Sequence, residues 1–203
     1  MSPAERIRVG VNGAAGKMGR RLLVLISENP RFSLAGAYER DGHPDLGKDA
    51  SIVAGCSKFG VMLKPLDAAD RAPQVFIDFS SPDGSARCLQ SAVSFQKPAV
   101  ICTTALSEDQ EKKLKSAAKK IAIVYSPNMS LGMNVLQYLS EQAARFLGQA
   151  YDVEIVEIHH RQKKDAPSGS AGALAASIRR GRGTKLDDVH GRHGIVGARQ
   201  PNE

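Results

Sequence analysis

The chain has 203 residues and a formal charge of +7, from 28 Lys and Arg against 21 Asp and Glu. Apolar residues make up 42%, enough for a packed core, and the length suits one or two domains. No apolar run reaches the ~18 residues that argue for a membrane-spanning helix. Aromatic residues are only 5% and Trp is absent. The basic excess therefore lacks the stacking platforms of a nucleic-acid-binding surface, and it suits the steering of small anions into a cleft. Cys56, Cys88 and Cys102 are odd in number with no Cys-x-x-Cys spacing, which argues against a disulfide framework and against a zinc site. Reduced thiols, and a start without the apolar segment of a signal peptide, make the cytoplasm the expected location.

Arg6–Asn12 reads as a strand, and residues 17–28 follow with Met18, Leu22, Leu25 and Ile26 at helical spacing. Residues 33–39 read as a second strand, and 40–60, rich in Gly and Asp, as a long loop. Residues 75–79 form a strand and 82–95 a helix opened by a proline. The pattern repeats with a strand at 99–103, a helix at 107–119 opened by Ser-Glu-Asp, and a strand at 121–125. Residues 130–147 read as a long helix with Leu131, Val135, Leu139, Ala143 and Leu147 on or near one face. A strand at 153–158 and an Ala-rich helix at 168–180 complete the series. Strands alternating with helices of this length imply βαβ units and a mostly parallel sheet, an α/β class.

Gly13-Ala14-Ala15-Gly16-Lys17-Met18-Gly19 follows the first strand and opens the first helix, as a dinucleotide-binding loop requires. The spacing is Gly-x-x-Gly-x-x-Gly rather than Gly-x-Gly-x-x-Gly. Gly16 and Gly19 also suit plain close packing of strand on helix. The acidic residue expected about 20 positions later is Glu39, whose carboxylate can accept from ribose hydroxyls. Arg40, with Lys17, can pair with a 2′-phosphate, so NADH and NADPH both fit. Cys102-Thr103-Thr104 and Ser126-Pro127-Asn128-Met129 fall at strand C-terminal ends, where a doubly wound sheet builds its crevice. Each is also readable as an ordinary turn, with Thr104 or Asn128 as a helix cap.

The densest chemistry lies between Glu157 and Ala171. His159, His160, Arg161, Lys163 and Lys164 precede Asp165 and a Pro-Ser-Gly turn. Neighbouring imidazoles and an amine can move protons near neutral pH, and amides at a helix start can hold a carboxylate. A solvated basic loop is the plainer reading of the same residues.

The glycine loop together with Glu157-x-His-His-x-x-Lys-x-Asp-Ala-Pro-Ser-Gly-Ser-Ala171 resembles the dihydrodipicolinate reductase family. Phe76-Ile-Asp-Phe-Ser80, Thr103-Thr104 and Asn128-Met-Ser-Leu-Gly-Met-Asn134 resemble further family segments, in the same order. The resemblance implies NADH- or NADPH-dependent reduction of 4-hydroxy-tetrahydrodipicolinate to tetrahydrodipicolinate, in the route to diaminopimelate and lysine. It implies a Rossmann-like dinucleotide-binding domain over residues 1–129. It also implies an α+β substrate and oligomerisation domain over 130–203, incomplete here because family members continue for several dozen residues, and a homotetramer. By the motif match, His159 is the proton donor and Lys163 a second acid or carboxylate partner. His160, Gly169 and Ser170 hold the cyclic dicarboxylate. Gly13, Ala14, Ala15, Gly16, Lys17, Met18, Gly19, Glu39, Arg40, Cys102, Thr103, Thr104, Ser126, Pro127, Asn128 and Met129 line the cofactor. His159 is expected to be protonated mainly with substrate bound. Three positions depart from the family pattern. Cys102 stands where Gly is usual, Gln162 where His is frequent, and Ser170 where Thr is usual. Another NAD(P)-dependent reductase of a small acid, or a non-catalytic dinucleotide-binding protein, remains open on the sequence.

Overall fold

The computed structural model describes residues 6–57, 59–126, 128–159, 161, 166–191 and 197. The chain divides into two compact units, Met1–Pro127 and Asn128–Glu203.

The first unit is a single parallel sheet flanked by helices. Its strands are β1 (Ile7–Asn12), β2 (Phe32–Glu39), β3 (Leu63–Pro65), β4 (Val75–Asp78), β5 (Ala99–Ile101) and β6 (Ile123–Tyr125), in spatial order β3-β2-β1-β4-β5-β6. The order reverses between β1 and β4, so the loops after these two strands frame a crevice at their C-terminal ends. Helices α1 (Lys17–Glu28), α2 (Ala50–Ala54), α3 (Pro82–Phe95) and α4 (Glu108–Ala117) belong to the same unit. Val9, Val11, Leu23, Ile26, Leu34 and Leu63 form one buried cluster. Tyr38, Phe76, Cys88, Leu89, Ile101 and Leu114 form a second.

Local chemistry sets the helix boundaries. Ser81 accepts from the Gly84 amide with Pro82 in the first turn, and Ser107 forms a reciprocal capping box with Gln110. The stretch expected as a loop over 40–60 contains α2. Asp49 caps it, accepting from the Ser51 amide at 2.8 Å and hydroxyl at 2.7 Å and from the Gly60 amide at 2.9 Å. Gly55 closes it in the left-handed region. Five residues are too few for the periodicity of a helix to register, so only these caps marked it.

The second unit holds α5 (Leu131–Leu147) and α6 (Gly169–Arg182). Arg180 pairs with Glu141 at 3.0 Å across them, and Ala144, Ala171, Ser177 and Ile178 are buried. The apolar stripe read from the sequence is not the buried face. Leu131 is 79% exposed and Leu139 55%, while Ala144 is buried. Small side chains such as Ala144 let the helix backbones come close, and the bulkier residues stay outside that contact. The strand expected over 153–158 joins no ladder. All six strands of the described residues belong to the first unit, so this extended segment has no strand among the described residues to pair with.

Leu23 is fully buried between α1 and the sheet. Leu23→Ala is expected to destabilise the first unit by about 2–5 kcal/mol, seen as a lower urea midpoint by circular dichroism.

Candidate active site

The loop after β1 is built for close approach. Gly13 has φ +75°, and a Cβ there would lie 2.4 Å from the Phe79 carbonyl oxygen. A Cβ on Gly19 would lie 2.0 Å from the Gly13 oxygen, so only glycine lets α1 start directly over the loop. The Gly13 and Ala14 amides donate to the Tyr38 carbonyl at 2.9 and 3.1 Å, pinning the loop to the end of β2. Gly16 stands at the N-cap of α1 without a side-chain acceptor, and Gly16, Lys17 and Met18 are exposed. Uncapped amides at an exposed helix start, with Lys17 beside them, fit a pyrophosphate.

Glu39 ends β2 half-buried. It accepts from the Ala15 amide at 3.0 Å and the Arg40 amide at 3.1 Å. Its carboxylate is thus fixed beside the glycine loop, with lone pairs left over for ribose hydroxyls. Arg40 is exposed next to it. The residues present therefore fit a dinucleotide.

Beside this cradle lies a network of which sequence reasoning assigned only Thr103 to the site. Asp78, fully buried at the end of β4, accepts from Asn12 Nδ2 at 2.7 Å, Ser80 Oγ at 2.6 Å and Thr103 Oγ1 at 2.6 Å. Thr103 in turn accepts from the Ser80 amide at 3.2 Å. The carboxylate joins the C-terminal ends of β1, β4 and β5. A polar residue closing the apolar run Val75-Phe-Ile-Asp78 was the available signal. Cys102 is buried, and Thr104 is exposed just before Ala105, which has φ +58°. A non-glycine residue in that region costs roughly 1–2 kcal/mol and marks a loop held in a set shape. Ser126 donates its amide to the Ile101 carbonyl at 3.1 Å, which places it at the same edge. The cofactor residues expected in the first unit therefore share one edge of the sheet. Pro127 lies outside the described residues.

In the second unit, Asn128 Nδ2 donates to Ser170 Oγ at 3.1 Å, and Asn128 Oδ1 accepts from the Ser130 amide at 2.9 Å. Met129 is exposed. Ser168 caps α6, accepting from the Ala171 amide at 3.0 Å, so Gly169 and Ser170 form the helix start. His159 Nε2 lies 2.7 Å from Glu157 Oε2. Glu157 also accepts from the Ser168 amide at 2.8 Å and from the Ser168 hydroxyl. These contacts, with His159 first and Ser168 next, lower its pKa to about 2, so it is a carboxylate at neutral pH. The expected His160 and Lys163 lie outside the described residues. A cavity of about 580 Å³ opens among Val153, Ile155, Ala175, Ile178 and Val189. His159 does not line it.

Fold and cradle define a dinucleotide-binding oxidoreductase. Two family models match, dihydrodipicolinate reductase N-terminus over residues 7–129 and C-terminus over 132–203. The 4-hydroxy-tetrahydrodipicolinate reductase of Anaeromyxobacter dehalogenans is 44% identical over 96% of this chain and 73% of its own length. That of Syntrophotalea carbinolica is 42% identical over 97% and 75%. A dipicolinate-bound dihydrodipicolinate reductase from Paenisporosarcina sp. TG-14 superposes with a TM-score of 0.66 at 25% identity, covering 97% of this chain and 76% of that one. The chain belongs to the dihydrodipicolinate reductase family. It is an NAD(P)H-dependent reductase of 4-hydroxy-tetrahydrodipicolinate, in the diaminopimelate and lysine pathway.

Burial, with a smaller contribution from Asp78, pushes the Cys102 thiol up to about 12, and the same causes raise Cys88. Both stay protonated at neutral pH and are expected to resist iodoacetamide in the native protein, while half-buried Cys56 reacts; peptide mass mapping reads this. Asp78→Ala removes the acceptor of the Thr103 hydroxyl, while Asn12 keeps Ser80 Oγ and the Gly84 carbonyl as acceptors. It is expected to cost about 1–3 kcal/mol for the stranded Thr103 hydroxyl and to weaken NADH binding, measured by thermal melting and fluorescence titration.

Proposed function

We propose that Gly13–Gly19, Glu39, Arg40, Cys102–Thr104 and Ser126–Met129 bind the cofactor, and that His159 delivers the proton of the reaction. His160, Lys163, Gly169 and Ser170 hold the cyclic dicarboxylate. Residues 1–129 act as the dinucleotide-binding domain and 130–203 as the substrate and oligomerisation domain. The chain works as a cytoplasmic homotetramer. The large apolar side chains exposed on α5, Leu131 and Phe146 among them, support burial against another surface.

The observation that carries the proton-donor role is the fixed contact of His159 with an ionised carboxylate, two residues away on an extended segment and tied to the start of α6. Replacing a ring hydroxyl by hydrogen requires loss of water, then a hydride and a proton. Bound NAD(P)H supplies the hydride. The electron pair displaced onto the adjacent ring atom is quenched by the proton that His159 holds. Helix-start amides at Gly169 and Ser170, with the cations of the loop, suit the two carboxylates of the substrate. The dipicolinate in the Paenisporosarcina relative is a dicarboxylate of this kind.

His159→Gln is expected to lower kcat by about 10²–10⁴-fold and to leave NADH affinity intact, measured by steady-state kinetics and fluorescence titration. An unchanged pH profile of kcat would remove His159 from the role. Lys163→Ala is expected to lower both substrate affinity and kcat. Loss of affinity alone would reduce Lys163 to an electrostatic anchor.

A further inference from the structure

We propose that Glu157 is the positioning residue for His159, holding its Nε2–H edge and leaving Nδ1 as the atom that delivers the proton. The inference rests on the proton-donor reading of His159 and adds to it both an atom and a partner.

An ionised carboxylate only accepts hydrogen bonds, so the imidazole nitrogen 2.7 Å from Glu157 Oε2 must carry a proton. In the neutral ring that nitrogen is Nε2, and Nδ1 is then the bare one. In the imidazolium Nδ1 is the only ring nitrogen whose proton is not already directed at Glu157. The proton passed to substrate therefore leaves from Nδ1, and the ring returns to the neutral Nε2–H form against the same carboxylate. The step balances, since one N–H bond at Nδ1 breaks and the substrate atom bearing the displaced electron pair gains that proton.

Glu157 is itself held. Oε1 takes the Ser168 amide, and Oε2 takes the Ser168 hydroxyl together with His159. Ser168 is buried and caps α6 through the Ala171 amide. One carboxylate thus fixes the imidazole relative to the helix start at Gly169 and Ser170, where a substrate carboxylate would bind. Without it, an imidazole whose side chain is 36% exposed on an extended segment has no described partner to fix its rotation. Carboxylate partners of functional histidines set tautomer and orientation in this way.

The test uses the full chain and the variants Glu157→Gln, His159→Gln and the double variant. Gln keeps an acceptor for the Ser168 amide, so the cap of α6 survives. Glu157→Gln is expected to lower kcat about 10–100-fold, the order of loss seen when a metal-bound histidine loses its carboxylate partner. NADH affinity stays unchanged, the solvent isotope effect on kcat rises, and Glu157→Asp restores part of the rate. The double variant is expected to be no slower than His159→Gln alone, because Glu157 acts only through His159. Nitrogen-15 spectra of the wild type at a pH where the ring is neutral are expected to show Nε2 protonated, with an exchange-protected proton that Glu157→Gln loses. Full kcat in Glu157→Gln, additive losses in the double variant, or a protonated Nδ1 in the neutral wild-type ring would overturn the role of Glu157 while leaving His159 as donor. Full kcat in His159→Gln would overturn both readings.

Discussion

The carboxylate of Asp78 is the constraint on which the cofactor edge depends. A parallel sheet delivers its strand ends to one side, but the loops that leave them are free to diverge. Here three of those ends are tied to one buried carboxyl group through Asn12, Ser80 and Thr103. A buried polar group is tolerated when its hydrogen bonds are made, and each of these donors supplies one. The Gly13 loop, the turn after Phe79 and the Thr103 loop therefore keep their shape before any ligand arrives. Preorganisation of this kind reduces the ordering cost of holding a long flexible cofactor.

The second unit repeats the device on a smaller scale. Glu157 is an anion filled by the amide and hydroxyl of Ser168 and by His159. In both units a carboxyl group organises hydrogen-bond donors around a functional surface. The difference lies in exposure. Asp78 is sealed inside the sheet and acts on backbone shape, whereas Glu157 sits nearer the surface and touches a group that can exchange protons.

Much of the first unit was legible because its signals are local. The helices at 17–28 and 82–95 fall where apolar spacing and caps placed them, and the glycine loop sits between strand and helix as its motif requires. What was missed involves short elements or distant partners. Helix α2 is too brief for periodicity, and β3 is three residues ending in a proline. Asp78 and Asn12 are 66 residues apart, so their hydrogen bond leaves no trace in spacing. The segment 153–158 has strand composition, but a strand exists only with a partner, and composition does not say whether one is present. The apolar stripe of α5 misled for a related reason. Periodicity shows that a face exists, not what covers it.

The reductase activity of this chain is directly measurable as turnover. The decisive measurement is oxidation of NADH and NADPH by the purified chain, with substrate made in situ from pyruvate and aspartate semialdehyde by the preceding synthase. Oxidation well above the synthase-only control is the predicted result. A rate equal to that control with both cofactors, from a folded chain that still binds NADH, would contradict it.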